Sequence, residues 1–241
     1  AEAFDMATGE PFDWNDESMR SRMFIASARD PRFARTLIYN GATFKGQPVQ
    51  SYVGGRNGRP LDGATPTSYY LRKHIVEATS FVTGSEMSYQ HIFPFFRYAE
   101  VLLNYAEALA AATQNPDFTG MKGEVEYTLS PREALNAVRA RYNMPGITET
   151  DYAAFVKRLR NERRVELAFE GHRFWDIRRW KIGAETTKVY GLTITPQNDG
   201  SFSYMRSVIQ QRGWEDRMNF YPIADAELFK NHNLVQNDGW K

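Results

Sequence analysis

The chain has 241 residues, 42% of them apolar and 14% aromatic, with a formal net charge of +1 and no cysteine. That apolar content can bury a core, which argues against wholesale disorder. The near-neutral charge supplies no global field for nucleic acid, and the lack of cysteine excludes disulfides, thiolate metal sites and a cysteine nucleophile.

The opening "AEAFDMATGEPFDW" lacks the basic-then-apolar pattern of a signal peptide, so the chain is expected to be a mature form or a fragment. Residues 1–15 read as an extended lead-in. A short helix is predicted from Asp16 to about Arg29, with Met19, Met23 and Phe24 on one side and Pro31 as its stop. Residues 40–67 are rich in glycine and proline and read as a long loop, of a length that is usually functional. A short helix or strand follows near Tyr69–Ala78.

Helical periodicity begins at Pro94. Tyr98, Val101, Leu102, Tyr105 and Leu109 form one stripe, while Ala99, Ala106 and Ala110 form a second, small-residue face. "SPRE" at 130–133 is a capping box with proline at the first helical position; it opens a helix over 131–143. Thr148 and Asp151 repeat the box spacing before a long helix to about Glu170. Gly171 breaks it, and a short amphipathic helix runs on to Lys181. "TKVYGLTIT" and "SFSYMRSVI" flank "PQNDG" as a β-hairpin within 186–209, and a last short helix is expected near Asp225–Lys230.

"ERRVELAFEGHRFWDIRRW", residues 162–180, mixes large apolar groups with many charges. At about 100° per residue, Glu162, Glu166 and Glu170 fall within about 60° of Leu159, on the side that the first half of the helix buries. An unpaired buried carboxylate costs several kcal/mol. Glu162 and Glu166 are therefore expected to be paired, with Arg139 or Arg141 of the preceding helix or with Arg173, forming a structural ion-pair brace sealed by aromatics. Trp175 and Trp180 are assigned to the core. Readings of the same acids as a carboxylate metal site or a glycosidase pair are weaker: no two Glu-x-x-His motifs are present. There is no G-x-S-x-G elbow, Walker loop or G-x-G-x-x-G, and no metal or cofactor is expected.

"DPRFARTLIYNG", "YYLRKHI", "RYAEVLLNYAEALA", "ALNAVRARYNMPGI", "RNERRVELAFEGHRFWDIRRWK" and the tail "FYPIADAELFKNHNLVQNDGW" together resemble the SusD/RagB family of outer-membrane nutrient-binding lipoproteins from Bacteroidetes. The resemblance implies a mainly α fold of tetratricopeptide-like helical pairs, with long irregular loops and a small β-hairpin. It implies a non-enzymatic protein held on the extracellular face of the outer membrane by an N-terminal lipid anchor that this chain lacks. Such a protein binds glycans, or in some members peptides, and delivers them to a SusC-type TonB-dependent transporter. The matched segments belong to the C-terminal half of such proteins, so a missing N-terminal half is an expected partner and part of the helical face should be an open apolar patch. Within 1–241, residues 1–93 are expected to carry ligand-side loops, 94–185 the helical repeat and brace, and 186–241 the hairpin and tail. The stripes starting at Tyr98 and Ala134 are spaced close to the tetratricopeptide period.

Sugars present C–H faces that stack on aromatics and hydroxyls that want polar partners. Trp14 with Asp13 and Asn15, and Tyr52 with Arg56 and Asn57, have that mixture and are the candidate glycan-binding residues. Two other readings compete with glycan capture: a polysaccharide-acting hydrolase, and a helical-repeat scaffold that binds a protein partner and no small ligand.

Overall fold

The computed structural model describes residues 1–90 and 92–240. Among them the chain order is α1 (Glu17–Ser21), α2 (Pro31–Thr36), β1 (Leu37–Ile38), β2 (Thr43–Phe44), β3 (Gln47–Pro48), β4 (Tyr70–Leu71) and α3 (Tyr98–Thr113). There follow β5 (Gly120–Lys122), β6 (Val125–Tyr127), α4 (Pro131–Ala140), α5 (Tyr152–Glu166), α6 (His172–Arg179), β7 (Lys188–Pro196), β8 (Phe202–Gln211) and α7 (Asp225–Lys230). All four sheets are two-stranded and antiparallel, pairing β1 with β4, β2 with β3, β5 with β6 and β7 with β8. The longer helices carry the main core; β2–β3, β5–β6 and β7–β8 are hairpins, whereas β1 and β4 pair across the intervening β2 and β3.

That core is built by α3, α4 and α5. Ala99, Leu103, Ala106 and Ala110 of α3 meet Ala134, Leu135 and Val138 of α4 and Phe155 and Leu159 of α5. Alanines let the α3 and α4 backbones come close, so the small-residue face is the one that α4 covers. The larger stripe is only partly used: Leu109 is buried, but Tyr98 is 73% and Val101 53% exposed. Two apolar faces on one helix imply packing on both sides; the structure covers the small-residue face and only part of the larger stripe. Phe95, Phe96 and Ile92 are exposed beside Tyr98 in the chain, extending an open apolar flank.

Helix ends follow local chemistry. Ser130 and Glu133 form the reciprocal capping box, and Asp151 caps α5 by accepting from the Ala154 amide. Thr148 does not share that capping role. The expected helix over 16–29 is corrected to the five-residue α1 and a single 3-10 turn, Ala26–Ala28. Pro31 opens α2 rather than closing its predecessor, because Asp30 accepts from the Arg32 amide and proline needs no amide partner at the first helical position. The long helix stops at Glu166, short of Glu170; Phe169 and Gly171 have φ of 62° and 84°, which turns the chain into α6.

A second cluster joins Phe4, Phe33, Leu37, Ile38, Tyr39 and Val49 to Val165 of α5. A third places Met23 on Leu192 and Ile194 of β7, with Phe12, Trp14, Phe24, Tyr52, Tyr69, Phe202 and Tyr204 packed around them. The 51–68 loop is laced to β7 by the Val53 amide donating to the Ile194 carbonyl at 2.8 Å and the Ser68 hydroxyl donating to the Leu192 carbonyl at 2.6 Å.

Phe155 is fully buried where the three core helices meet. Phe155→Ala is expected to lower unfolding free energy by about 3–5 kcal/mol, read as a reduced urea midpoint. Ser130→Ala, which removes one cap, should cost about 1 kcal/mol by the same measurement.

Candidate functional site

The most concentrated polar constellation lies between the first two clusters. Asp5, Asp30, Glu162, Glu166 and Glu170 meet Arg32, Lys73, Arg97, Arg139 and Arg158, so five carboxylates face five cations. Arg139 of α4 donates from Nη1 to Glu162 Oε2 at 2.7 Å and to Asp5 Oδ2 at 3.1 Å. Arg32 of α2 holds Asp30 at 2.7 Å and Glu166 at 3.0 Å, and its Nη1 also reaches Glu162 Oε1. Arg97, immediately before α3, grips Glu170 with Nε and Nη2, each at 2.8 Å, and Glu166 with Nη1 at 2.8 Å. Arg158 Nη2 returns to Asp5 at 2.9 Å.

Chemistry explains the residue choice. A planar guanidinium can serve two carboxylates at once, which Arg32, Arg97 and Arg139 all do. Burial alone lowers the Arg32 pKa, but Glu162 and Asp30 more than offset this and raise it, so the charge persists. Burial likewise works against ionised Glu170, yet hydrogen bonds from Arg97 and Lys73 hold its pKa below the usual value. The other flank of α5 carries an arginine: Arg163 Nε donates to both Asp176 oxygens at 2.9 Å, tying α5 to α6. Asp176 also takes Arg179, and Arg179 continues to Glu107 of α3.

Two expected members of the brace are corrected. Arg141 follows the last turn of α4 and is exposed, and among the described residues it makes no ion pair with Glu162 or Glu166. Arg173 in α6 makes no ion pair with Glu162 or Glu166; burial and the neighbouring Arg164 lower its pKa to about 10. The places meant for them are taken by Arg32 and Arg97, which lie 130 and 69 residues from the acids they hold. Helical spacing could not show partners at that separation. Among the described residues, no group of three or more His, Asp or Glu is arranged to hold a metal ion.

The expected ligand residues lie on a different part of the surface. Trp14 and Tyr52, 38 positions apart in sequence, both pack on the third cluster beside β7. Both are partly buried. Tyr52 lies 5.2 Å from Phe202 between ring centroids. Phe202 and Tyr204 belong to this face and were not singled out in the sequence, because their alternation marks only a strand. Asp13 and Asn15 are exposed and joined by the Asn15 amide donating to Asp13 Oδ1 at 2.8 Å. Arg56 Nη2 donates to the Pro48 carbonyl at 2.5 Å, while Asn57 Oδ1 accepts from the Gln50 amide at 3.1 Å. The loop is thus held by its own polar groups. Gly58 is required there, since a Cβ would come within 2.0 Å of the Tyr52 carbonyl oxygen.

Trp180 is buried, at 9% exposure, and its Nε1 donates to Glu107 at 2.6 Å. Trp175, assigned to the core from the helical pattern, is corrected: it is 59% exposed and lies beside Phe174 and Tyr221. No neighbouring element among the described residues covers that side of α6.

A sequence model of the SusD family matches residues 1–240. The chain belongs to the SusD family. Two solved structures from Bacteroides fragilis share the SusD-type fold. One, a SusD-like protein, superposes with a TM-score of 0.76 at 28% identity, over 99% of this chain and 46% of its own. The other, a SusD-like carbohydrate-binding protein, gives 0.71 at 30% identity, over 97% and 47%. SusD-like protein P2 of Formosa agariphila is 33% identical over 146 residues, 59% of this chain and 24% of that protein. The chain therefore spans about half the length of the solved SusD-type relatives and about a quarter of the curated one.

Glu162→Gln leaves Arg32 and Arg139 short of a charge partner. It is expected to destabilise the fold by about 3–5 kcal/mol, whereas Arg141→Ala should fall within about 0.5 kcal/mol, both by urea denaturation. Glu170 adds a pH signature. Its folded pKa lies below the unfolded value near 4.5, so its stabilisation is complete above that pH and is lost as pH falls through the folded pKa. The stability gap between wild type and Glu170→Gln should be present at pH 7 and close in acid; a gap unchanged at pH 3 would contradict this origin.

Proposed function

We propose that this chain is part of a non-catalytic, cell-surface glycan-binding protein that delivers its ligand to a SusC-type TonB-dependent transporter. The observation that carries the proposal is the half-open aromatic face on which Trp14 and Tyr52 converge, in a chain of the SusD family. The B. fragilis relative described as carbohydrate-binding supports the ligand class. Rings fixed by Phe202 and Met23 lose little freedom when a sugar stacks on them, which favours binding. Asp13, Asn15 and Arg56 at the margin supply polar groups for hydroxyls.

The α3–α4 pair is read as one tetratricopeptide-like hairpin, with the charge lattice bracing it to the loop layer. The open apolar flank at Phe95, Phe96, Tyr98 and Val101 is the surface that the remainder of a longer SusD-type protein covers. The lipid anchor and the extracellular face of the outer membrane belong to that whole protein.

Trp14→Ala and Tyr52→Ala are each expected to weaken binding of a cognate oligosaccharide about tenfold or more, about 1.4 kcal/mol or above, by calorimetry. Circular dichroism should stay unchanged. The intact protein incubated with polysaccharide should release no shorter fragments; release would favour a hydrolase.

A further inference from the structure

Two cavities flank α2, and their charge states differ. The smaller, about 280 Å³, is lined by Arg32, Arg97 and Lys73, which have carboxylate partners, together with Glu166 and Glu170, and it shares Arg35 with its neighbour. The larger, about 640 Å³, is lined by Arg29, Arg35 and Arg72 and by no acidic residue. Of these, Arg72 pairs with Glu77. Arg29 is 2% exposed and has no ion pair among the described residues. Its Nη atoms donate to the carbonyls of Met23, Phe4 and Ala1, and its guanidinium lies between the Phe12 and Phe33 rings at 4.4 and 4.7 Å. Its Nε is buried without a hydrogen-bond partner among the described residues. Arg35 stands exposed at the rim, 6.0 Å from the Tyr142 ring, and among the described residues no carboxylate lies within ion-pair distance of it.

Arg32, Arg97, Arg139, Arg158 and Arg163 each hold at least one carboxylate. Two guanidinium groups without one, on the wall of one cavity, give that cavity a positive potential which low-dielectric surroundings sharpen. Its size suits a small ligand, Pro31 and Tyr142 offer apolar wall to a C–H face, and Asn143 offers an amide. We propose that this cavity is a subsite for an acidic saccharide, holding the oxyanion of a uronic acid or a sulfate ester, with Arg35 in direct contact and Arg29 as fixed background charge. This rests on the saccharide reading above but not on its residues, since neither Trp14 nor Tyr52 lines the cavity.

Calorimetry on the 241-residue chain with a uronic-acid disaccharide, a sulfated disaccharide, a neutral disaccharide and inorganic sulfate tests it. The wild type is expected to bind at least one acidic disaccharide tenfold or more tighter than the neutral one, with the preference shrinking as salt rises. Arg35→Glu, at an exposed position, should abolish the preference and leave neutral binding unchanged. Ser27→Trp, which places bulk at another exposed lining position, should also weaken acidic binding. Equal affinity for acidic and neutral sugars, or a preference that survives Arg35→Glu, overturns the subsite while leaving glycan binding intact. Inorganic sulfate binding as tightly as the disaccharides removes the saccharide from the proposal. Absence of binding by every sugar sinks both readings.

Discussion

The structure depends on one constraint: carboxylates on the inner face of α5 can stay buried only while guanidinium groups from other elements hold them. Glu162 and Glu166 are 2% and 3% exposed, and their partners come from α2, α4 and the residue that precedes α3. The attraction within such a pair is largely offset by desolvation, whereas losing one partner is expensive. The lattice therefore acts less as a reservoir of net stability than as a condition on assembly. Packings that do not bring Arg32, Arg97 and Arg139 to α5 leave charges unpaired. Hydrophobic contacts among Ala, Leu and Phe side chains are tolerant of small shifts; two-pronged ion pairs at 2.7–3.0 Å are not.

That condition links the helical layer to the aromatic face around Trp14 and Tyr52. Arg32 belongs to α2, whose Phe33 packs with Tyr39 in the second cluster. Phe24 stacks on Tyr39 and meets Tyr204 edge-on, carrying the packing into the third cluster, where Trp14 and Tyr52 sit. A continuous chain of contacts thus runs from α5 to the aromatic face. If that face takes sugars as proposed, its being held still favours binding, because rings already ordered lose less entropy. The acid-free cavity beside α2 is a by-product of the same arrangement: the lattice engages the nearby carboxylates, and among the described residues Arg29 and Arg35 are left without an ion-pair partner.

How much was legible differed by element. The capping box at Ser130 and the hairpin around "PQNDG" could be read because both depend on residues close in the chain. The inward placement of Glu162 and Glu166 was also legible, since a helix fixes angles over a few turns. The partners were not: Arg141 and Arg173 were nearer in sequence, while Arg32 and Arg97 were nearer in space. Trp175 and Tyr98 failed for a related reason. Their positions are apolar in pattern, but whether a neighbour arrives to cover them is not a property of the helix that bears them.

The sequence by itself determined the helix-forming segments from α3 to α6, the need to neutralise buried acids, and the resemblance to SusD proteins through motifs spread along the chain. These rest on interactions within a few residues, or on patterns that survive without coordinates. Only the tertiary structure decided which arginines meet which acids, that Trp14 and Tyr52 share one face with Phe202, and that one cavity holds cations without carboxylates. The physical reason is common to all three: each depends on distance through space between residues far apart in the chain, which local conformational preference does not encode.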